Sequence, residues 1–274
     1  MESNLFDMSG KVAVITGASA NGGLGHVIAL AFAQQGADIV CGDIDDPGNE
    51  QTAEEVRNLG RRSFAVHCDV ADESQVEQMF AQVDQVFGKV DILVNVPFWF
   101  QRSRPHELSL DGWNRTMAIS LTSYFLCAKQ AIIRMLNQKS GGCILNIGSI
   151  AGASGMGRGN FAYSCAKAAV HQMTRELALE YAQQGIRCNA ILPCQILTPG
   201  LKNQLLTNPR LEETAMPRFL AGIPYGKLLE AEDFISAAVF LCSASARAVT
   251  GVLLPVDGGN LAMNAGGSIL WPQD

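Results

Sequence analysis

The run Lys11-Val-Ala-Val-Ile-Thr16, followed at once by Gly17-Ala-Ser-Ala-Asn-Gly-Gly-Leu-Gly25, constrains this chain more than any other feature. A short apolar, β-branched run reads as a strand buried on both faces. The glycines after it remove side chains where the backbone must turn sharply, and the apolar-periodic stretch from Val27 to Ala33 reads as a helix. Strand, glycine-rich turn and helix in that order make a dinucleotide-binding unit. The glycines let the backbone approach a pyrophosphate, and the helix N-terminus presents free N–H groups and a positive dipole end to it. The next strand-like run, Asp38-Ile-Val-Cys-Gly-Asp43, ends in an acid eighteen residues after Gly25. A carboxylate there accepts hydrogen bonds from the adenosine ribose and repels a 2′-phosphate, which predicts NAD rather than NADP. The competing reading is that Asp43 only opens a polar turn with Asp45 and Asp46.

Strand-like runs alternate with helix-period segments along the chain, which predicts an α/β fold with a parallel sheet covered on both faces. At 274 residues, 48% hydrophobic and 17% charged, the sequence has enough apolar surface for one well-buried domain spanning 1–274. A helix is expected from Asp72 to Gly88, with Val76, Met79, Phe80, Val83 and Phe87 on its inner face. Two longer helices are expected from Leu110 to Met135 and from Phe161 to Gln184. Their apolar stripes run through Leu121, Phe125, Ala128 and Ile132, and through Ala168, Met173, Leu177 and Tyr181.

A net charge of −6 without a basic stripe argues against nucleic acid. No apolar run approaches the ~20 residues that span a bilayer, and the first residues lack a signal-peptide pattern, so a soluble cytoplasmic protein is expected. The eight cysteines are scattered without a close pair and read as reduced core thiols, and the four histidines show no ligand spacing, so no metal is expected. Of the histidines, only His106 falls where an active-site rim is expected.

Tyr163 and Lys167 stand four residues apart in Tyr163-Ser164-Cys165-Ala166-Lys167, with Ser149 fourteen residues upstream at the end of a strand-like segment. On a helix that spacing puts phenol and ammonium on one face, where the cation favours a phenolate able to take a proton. By itself the spacing also fits an ordinary surface pair. Together with the glycine loop and with Asp69-Val70, Asp91-Ile-Leu-Val-Asn95, Arg187-Cys-Asn-Ala-Ile-Leu-Pro193 and Val256-Asp-Gly-Gly259, it resembles the short-chain dehydrogenase/reductase family from Lys11 to Asn260.

The resemblance implies a single-domain Rossmann-type, doubly wound sheet and a hydride transfer between NAD(H) and a secondary alcohol or ketone. Tyr163 would be the proton-transfer group, Ser149 would hold the substrate oxygen, Lys167 would lower the tyrosine pKa and bind the nicotinamide ribose, and Ser120 would serve a proton relay. Gly17, Ser19, Asn21, Gly23, Leu24, Gly25, Asp43, Asp69, Val70, Asn95 and Thr198 would complete the cofactor site. It also implies a substrate lid over 190–229 and a homo- or hetero-oligomer, dimer or tetramer, built on the helices around 110–135 and 160–184. The apolar Ile269, Leu270 and Trp271 in the tail 261–274 could dock on a neighbouring subunit or stay loose.

Four positions depart from the family pattern. The glycine loop is about two residues longer, Asn95-Val96-Pro97-Phe98 replaces Asn-Asn-Ala-Gly, Ser120 replaces an asparagine, and Cys194 replaces the glycine after Pro193. Three of these changes converge on the nicotinamide end. They leave open an active enzyme with a reshaped pocket, a non-catalytic subunit that pairs with an active paralogue, and a binding module that uses no nucleotide. The segment Phe98 to His106 joins aromatics to cations, so Phe98, Arg102, Arg104 and Cys194 are substrate-site candidates for an apolar or aromatic substrate with an acidic group, a hydroxyacyl coenzyme A thioester among them. Lys202, Arg210 and Arg218 on the lid could add charge to that site. The same aromatics could simply pack on the lid or on a partner.

Overall fold

The computed structural model describes residues 5–20 and 22–263. Seven strands, β1 (Val12–Thr16), β2 (Asp38–Asp43), β3 (Ser63–His67), β4 (Ile92–Asn95), β5 (Gly142–Ile147), β6 (Ile186–Pro193) and β7 (Leu253–Val256), pair in parallel in the order β3-β2-β1-β4-β5-β6-β7. Alternate residues of each strand feed opposite layers. Ala13 and Ile15 join a core with Val27, Ile28 and Phe32 of α1 (Leu24–Gln34) and Ala238 and Leu241 of α9 (Ile235–Cys242). Val12 and Val14 join another with Val76, Met79 and Phe80 of α3 (Glu73–Val86) and Leu126 and Ile132 of α5 (Ser123–Gln138). Two buried faces are why the strands read as unbroken apolar runs rather than alternating ones. Sequence order reverses between β1 and β4, and a crevice opens at the carboxyl ends of the strands there.

Helix boundaries follow local chemistry. Asp72 caps α3 by accepting from the Ser74 and Gln75 amides, and Gly88 stops the helix with φ 68°. Asp45 caps α2 (Asp46–Asn58). The expected helix from Leu110 is not uniform. It runs as α4 (Leu110–Met117), a π turn over Ala118–Thr122, then α5. The π turn shifts the register, and the buried face of α5 becomes Tyr124, Cys127, Ala128, Ala131 and Met135, while Phe125 is 53% exposed. This corrects the expected Leu121/Phe125 stripe. The stretch Leu110–Gln138 is long and apolar enough to cross a membrane, but 56% of its most apolar window is buried against the sheet.

The long helix α6 (Phe161–Tyr181) turns Ala162, Ala166, Lys167, Val170, His171 and Thr174 inward. The stripe read from sequence is less buried: Ala168 is exposed, while Leu177 and Tyr181 pack on the α3/α5 core. The lid segment holds two helices, α7 (Pro199–Thr207) and α8 (Pro209–Leu220), and Leu197 donates to the Leu229 carbonyl at its base. All eight cysteines are free, and no metal-ligand cluster occurs among the described residues. The expected docking residues Ile269, Leu270 and Trp271, like Asn21, lie outside the described residues.

Candidate active site

A cavity of about 750 Å³ runs along the carboxyl ends of the strands, from Asp43 and Asp69 at one end to Phe98, Phe100 and Phe219 at the other. Gly17, Gly22, Gly23 and Leu24 line its middle. A Cβ on Gly25 would lie 2.0 Å from the Gly17 carbonyl oxygen, so only glycine lets α1 start this close to the loop. Gly23, which lines the cavity, caps α1 without a side-chain hydrogen bond to the first-turn amides.

Ala18 and Ser19 at the start of the lengthened loop are tied down by side chains from the end of β2 and the segment after it. The Ser19 amide donates to Asp43 Oδ2 at 3.0 Å, the Ser19 hydroxyl to Asp45 Oδ2 at 2.5 Å, and the Thr52 hydroxyl to the Ala18 carbonyl at 2.6 Å. Ser19, expected at the cofactor, thus spends its hydroxyl on Asp45. Asp43 makes the polar turn weighed from sequence, its Oδ1 accepting from the Asp45 amide, and it also lines the cavity. The loop anchors Asp45 and Thr52 were missed, although both sit in the polar stretch directly after β2.

On the far side, Ser149 lies two residues beyond β5 and its Oγ accepts from the Ala151 amide at 3.1 Å. It also hydrogen-bonds Tyr163, which opposes the effect of burial on the phenol; burial wins and pushes Tyr163 up to about 12. Gly148 and Gly152 let α6 approach: a Cβ on Gly148 would meet His171 Nε2 at 2.7 Å, and one on Gly152 would meet the Lys167 backbone at 2.6 Å. His171 Nε2 accepts the Ser149 amide at 3.4 Å, so the ring is held as the acceptor tautomer, and burial pulls its pKa to about 4. Its signal was legible, since Tyr163, Lys167 and His171 recur every four residues.

Lys167, 1% exposed, is pulled down to about 7 by burial. Its ammonium donates to the Tyr124 hydroxyl at 2.8 Å and to the Ile147 carbonyl at 2.7 Å, and lies 5.8 Å from the Tyr163 ring centre. The expected direct lowering of the Tyr163 pKa by this ammonium is therefore replaced by burial as the dominant influence on the phenol. Ser120 also differs from expectation. It is fully buried, donates to the Trp99 carbonyl at 2.8 Å and accepts the Trp99 amide at 3.0 Å, which fixes the aromatic loop and leaves no hydroxyl proton for a relay.

Asn95 is likewise internal. At 1% exposure it donates to Asn146, which donates to Thr174, and it does not line the cavity. Val70 and Thr198 do line it, Thr198 while capping α7 through the Leu201 amide. Arg104 stays outside the cavity and His106 pairs with Glu107; Arg102, Arg115 and Arg158 line it instead. Phe98 and Cys194 stand in the wall without closing it. Phe100 and Phe98 contact Tyr163 at ring-centre distances of 4.9 and 6.0 Å.

Comparison with known proteins agrees with this geometry. The family model described as enoyl-(acyl carrier protein) reductase matches residues 17–260. The chain is 36% identical over 254 residues to cis-4-hydroxycyclohexanecarboxylate dehydrogenase of Sinomonas cyclohexanicum, covering 92% of this chain and 97% of that one. Carveol dehydrogenase from Mycobacterium avium, solved with NAD, superposes with a TM-score of 0.85 at 29% identity, covering 93% of this chain and 99% of that one. A candidate 2-deoxy-D-gluconate 3-dehydrogenase from Agrobacterium tumefaciens, solved with NADP, gives 0.83 at 32% identity, covering 95% and 100%. Those relatives, the open cavity and the Ser149/Tyr163/Lys167 cluster disfavour a non-catalytic subunit: the chain belongs to the short-chain dehydrogenase/reductase family and is an alcohol dehydrogenase/ketoreductase of that family.

Proposed function

We propose that the chain interconverts a cyclic secondary alcohol bearing an acidic group and its ketone, using NAD(H). The observation that carries this is the polarity of the cavity, with carboxylates at the adenosine end and guanidinium groups at the other. Arg102, Arg115 and Arg158 have no ion-pair partner among the described residues. Arg115 stacks over Trp99 at 4.5 Å and Arg102 over Phe100 at 5.9 Å, so aromatic rings hold two of the three cations beside an apolar wall. Such a wall suits an alicyclic ring, and the guanidinium groups suit a carboxylate. The relative named for cis-4-hydroxycyclohexanecarboxylate belongs to this substrate class.

The residues present fit a nicotinamide dinucleotide: glycine at 25 where a side chain would part α1 from the loop, an α1 N-terminus with no side-chain cap, and Asp43 beside the loop. Asp43 lines the cavity with Ile44 rather than a cation next to it, and its charge would repel a 2′-phosphate, which favours NAD. When bound, the cofactor supplies the hydride acceptor or donor. Tyr163 exchanges the proton of the substrate hydroxyl, and Ser149 orients that oxygen. A phenol raised to about 12 is protonated at neutral pH, which suits proton donation to a ketone. The exposed Phe125, Ile133, Leu136 and Leu179 on α5 and α6 support assembly of a homo-oligomer on that face.

Oxidation of cis-4-hydroxycyclohexanecarboxylate and of cyclohexanol, each with NAD⁺ and NADP⁺, tests the reading. The expected result is a higher kcat/KM with NAD⁺ and with the acid, and a rise in KM for the acid alone in Arg158→Ala. Equal rates with the two alcohols and an Arg158→Ala variant that behaves as wild type would remove the acidic substrate; a preference for NADP⁺ would remove the cofactor assignment.

A further inference from the structure

Lys167 has a partner behind the cavity wall. Its ammonium donates to the Tyr124 hydroxyl at 2.8 Å and to the Ile147 carbonyl at 2.7 Å, and the Tyr124 hydroxyl donates to that same carbonyl at 3.0 Å. Tyr124 is fully buried and is among the largest side chains the core holds. It reaches the lysine because the π turn over Ala118–Thr122 precedes it and sets the register of α5. Ser120, one turn earlier, is already committed to Trp99.

We propose that Tyr124 is a positioning residue for the reaction: its hydroxyl and the Ile147 carbonyl fix two of the three ammonium donors and leave the third for the cavity. A neutral acceptor does this without cancelling the charge. A carboxylate in the same place would form an ion pair and cancel the charge presented to the cavity. Burial keeps the Tyr124 hydroxyl protonated, its pKa lying well above the ordinary value. The titratable groups facing Lys167 are Tyr163 and His171 from its own helix and Tyr124 from α5; β5 contributes the Ile147 carbonyl, and no carboxylate pairs with the lysine among the described residues.

The inference rests on the role proposed for Lys167, yet its test needs neither cofactor nor alcohol, so the two can fail separately. The chain is labelled with ¹³Cε-lysine and titrated by NMR, the Lys167 signal being identified by its loss in Lys167→Met. Tyr124→Phe removes an acceptor from the charged form, so the Lys167 midpoint should fall by roughly one pH unit, a tenfold change in acidity. Incorporating 3-fluorotyrosine at position 124 should restore most of the shift. A folded Tyr124→Phe protein with an unchanged midpoint would overturn the proposal. Should that variant fail to fold, tyrosine, 3-fluorotyrosine and 3,5-difluorotyrosine at the position should lower the midpoint in that order, and a midpoint indifferent to fluorination would overturn it equally.

Discussion

Gly25→Ala sets two opposed effects against each other at one atom. An alanine inside a helix is favoured over glycine by about 1 kcal/mol, so propensity alone predicts a more stable α1. The added Cβ, however, would lie 2.0 Å from the Gly17 carbonyl oxygen and 3.1 Å from the Ala18 Cα. Ordinary contact begins near ~3.5 Å, so the start of α1 and the loop must part by roughly 1.5 Å. Overpacking of this kind costs about 1–3 kcal/mol, and backbone on both sides of the clash puts it at the upper end. The net is about 2 kcal/mol of destabilisation, or roughly 4–8 °C in Tm for a chain of this size. Function should suffer more than stability, because the displaced first-turn amides are those that the proposed cofactor placement sets against the pyrophosphate. NADH affinity, followed by fluorescence, should drop at least about tenfold, the equivalent of ~1.4 kcal/mol. A Gly25→Ala protein with wild-type Tm and wild-type NADH affinity would refute the packing argument and the placement of the cofactor together.

Three further outcomes follow. Lys167→Met should flatten the pH dependence of stability. The buried lysine is pulled from 10.5 to about 7, so the unfolded chain holds the extra proton between those values and wild-type stability gains from this residue as pH rises from 7 toward 10.5. The difference between wild type and variant in urea midpoints at pH 6.5 and 8.5 reads this directly, and a constant difference would sink it. On the acid side, His171 is pulled from 6.5 to about 4, so stability is lost as pH falls from 6.5 to 4, and His171→Gln should lose less over that window in the same urea series. Asn95→Leu strands the Asn146 amide oxygen and should cost about 1–3 kcal/mol while leaving NADH affinity unchanged, because the side chain does not line the cavity; a selective loss of affinity at unchanged stability would return Asn95 to the cofactor site.

What the sequence made legible was whatever depends on local spacing. The strand–glycine–helix unit, the acid closing β2 and the four-residue stripe on α6 are each encoded within one element, and the fold that follows from alternating elements is the one observed. Long-range partners were not legible. Ser120 lies in the right place along the chain, yet Trp99, brought across by the loop after β4, takes its hydroxyl. Asn95 ends the right strand, but a strand residue's side chain can face the core, and Asn146 on the neighbouring strand draws it there. Tyr124 was not singled out, because a π turn leaves no mark in a 3.6-residue periodicity and the expected stripe ran through Phe125 instead. At the rim Arg102 was legible, but Arg158 was not: it reaches the cavity from a loop more than fifty residues later, held there in a left-handed conformation with φ 55°.

The central claim is that the Tyr163 phenol exchanges the substrate's proton beside a bound nicotinamide. Single-turnover NADH formation from NAD⁺ and an excess of cis-4-hydroxycyclohexanecarboxylate, compared between wild type and Tyr163→Phe, measures it most directly. The account predicts a loss of about 10²-fold or more in the rate with NADH affinity within a few-fold of wild type. A Tyr163→Phe protein that forms NADH at the wild-type rate would contradict it.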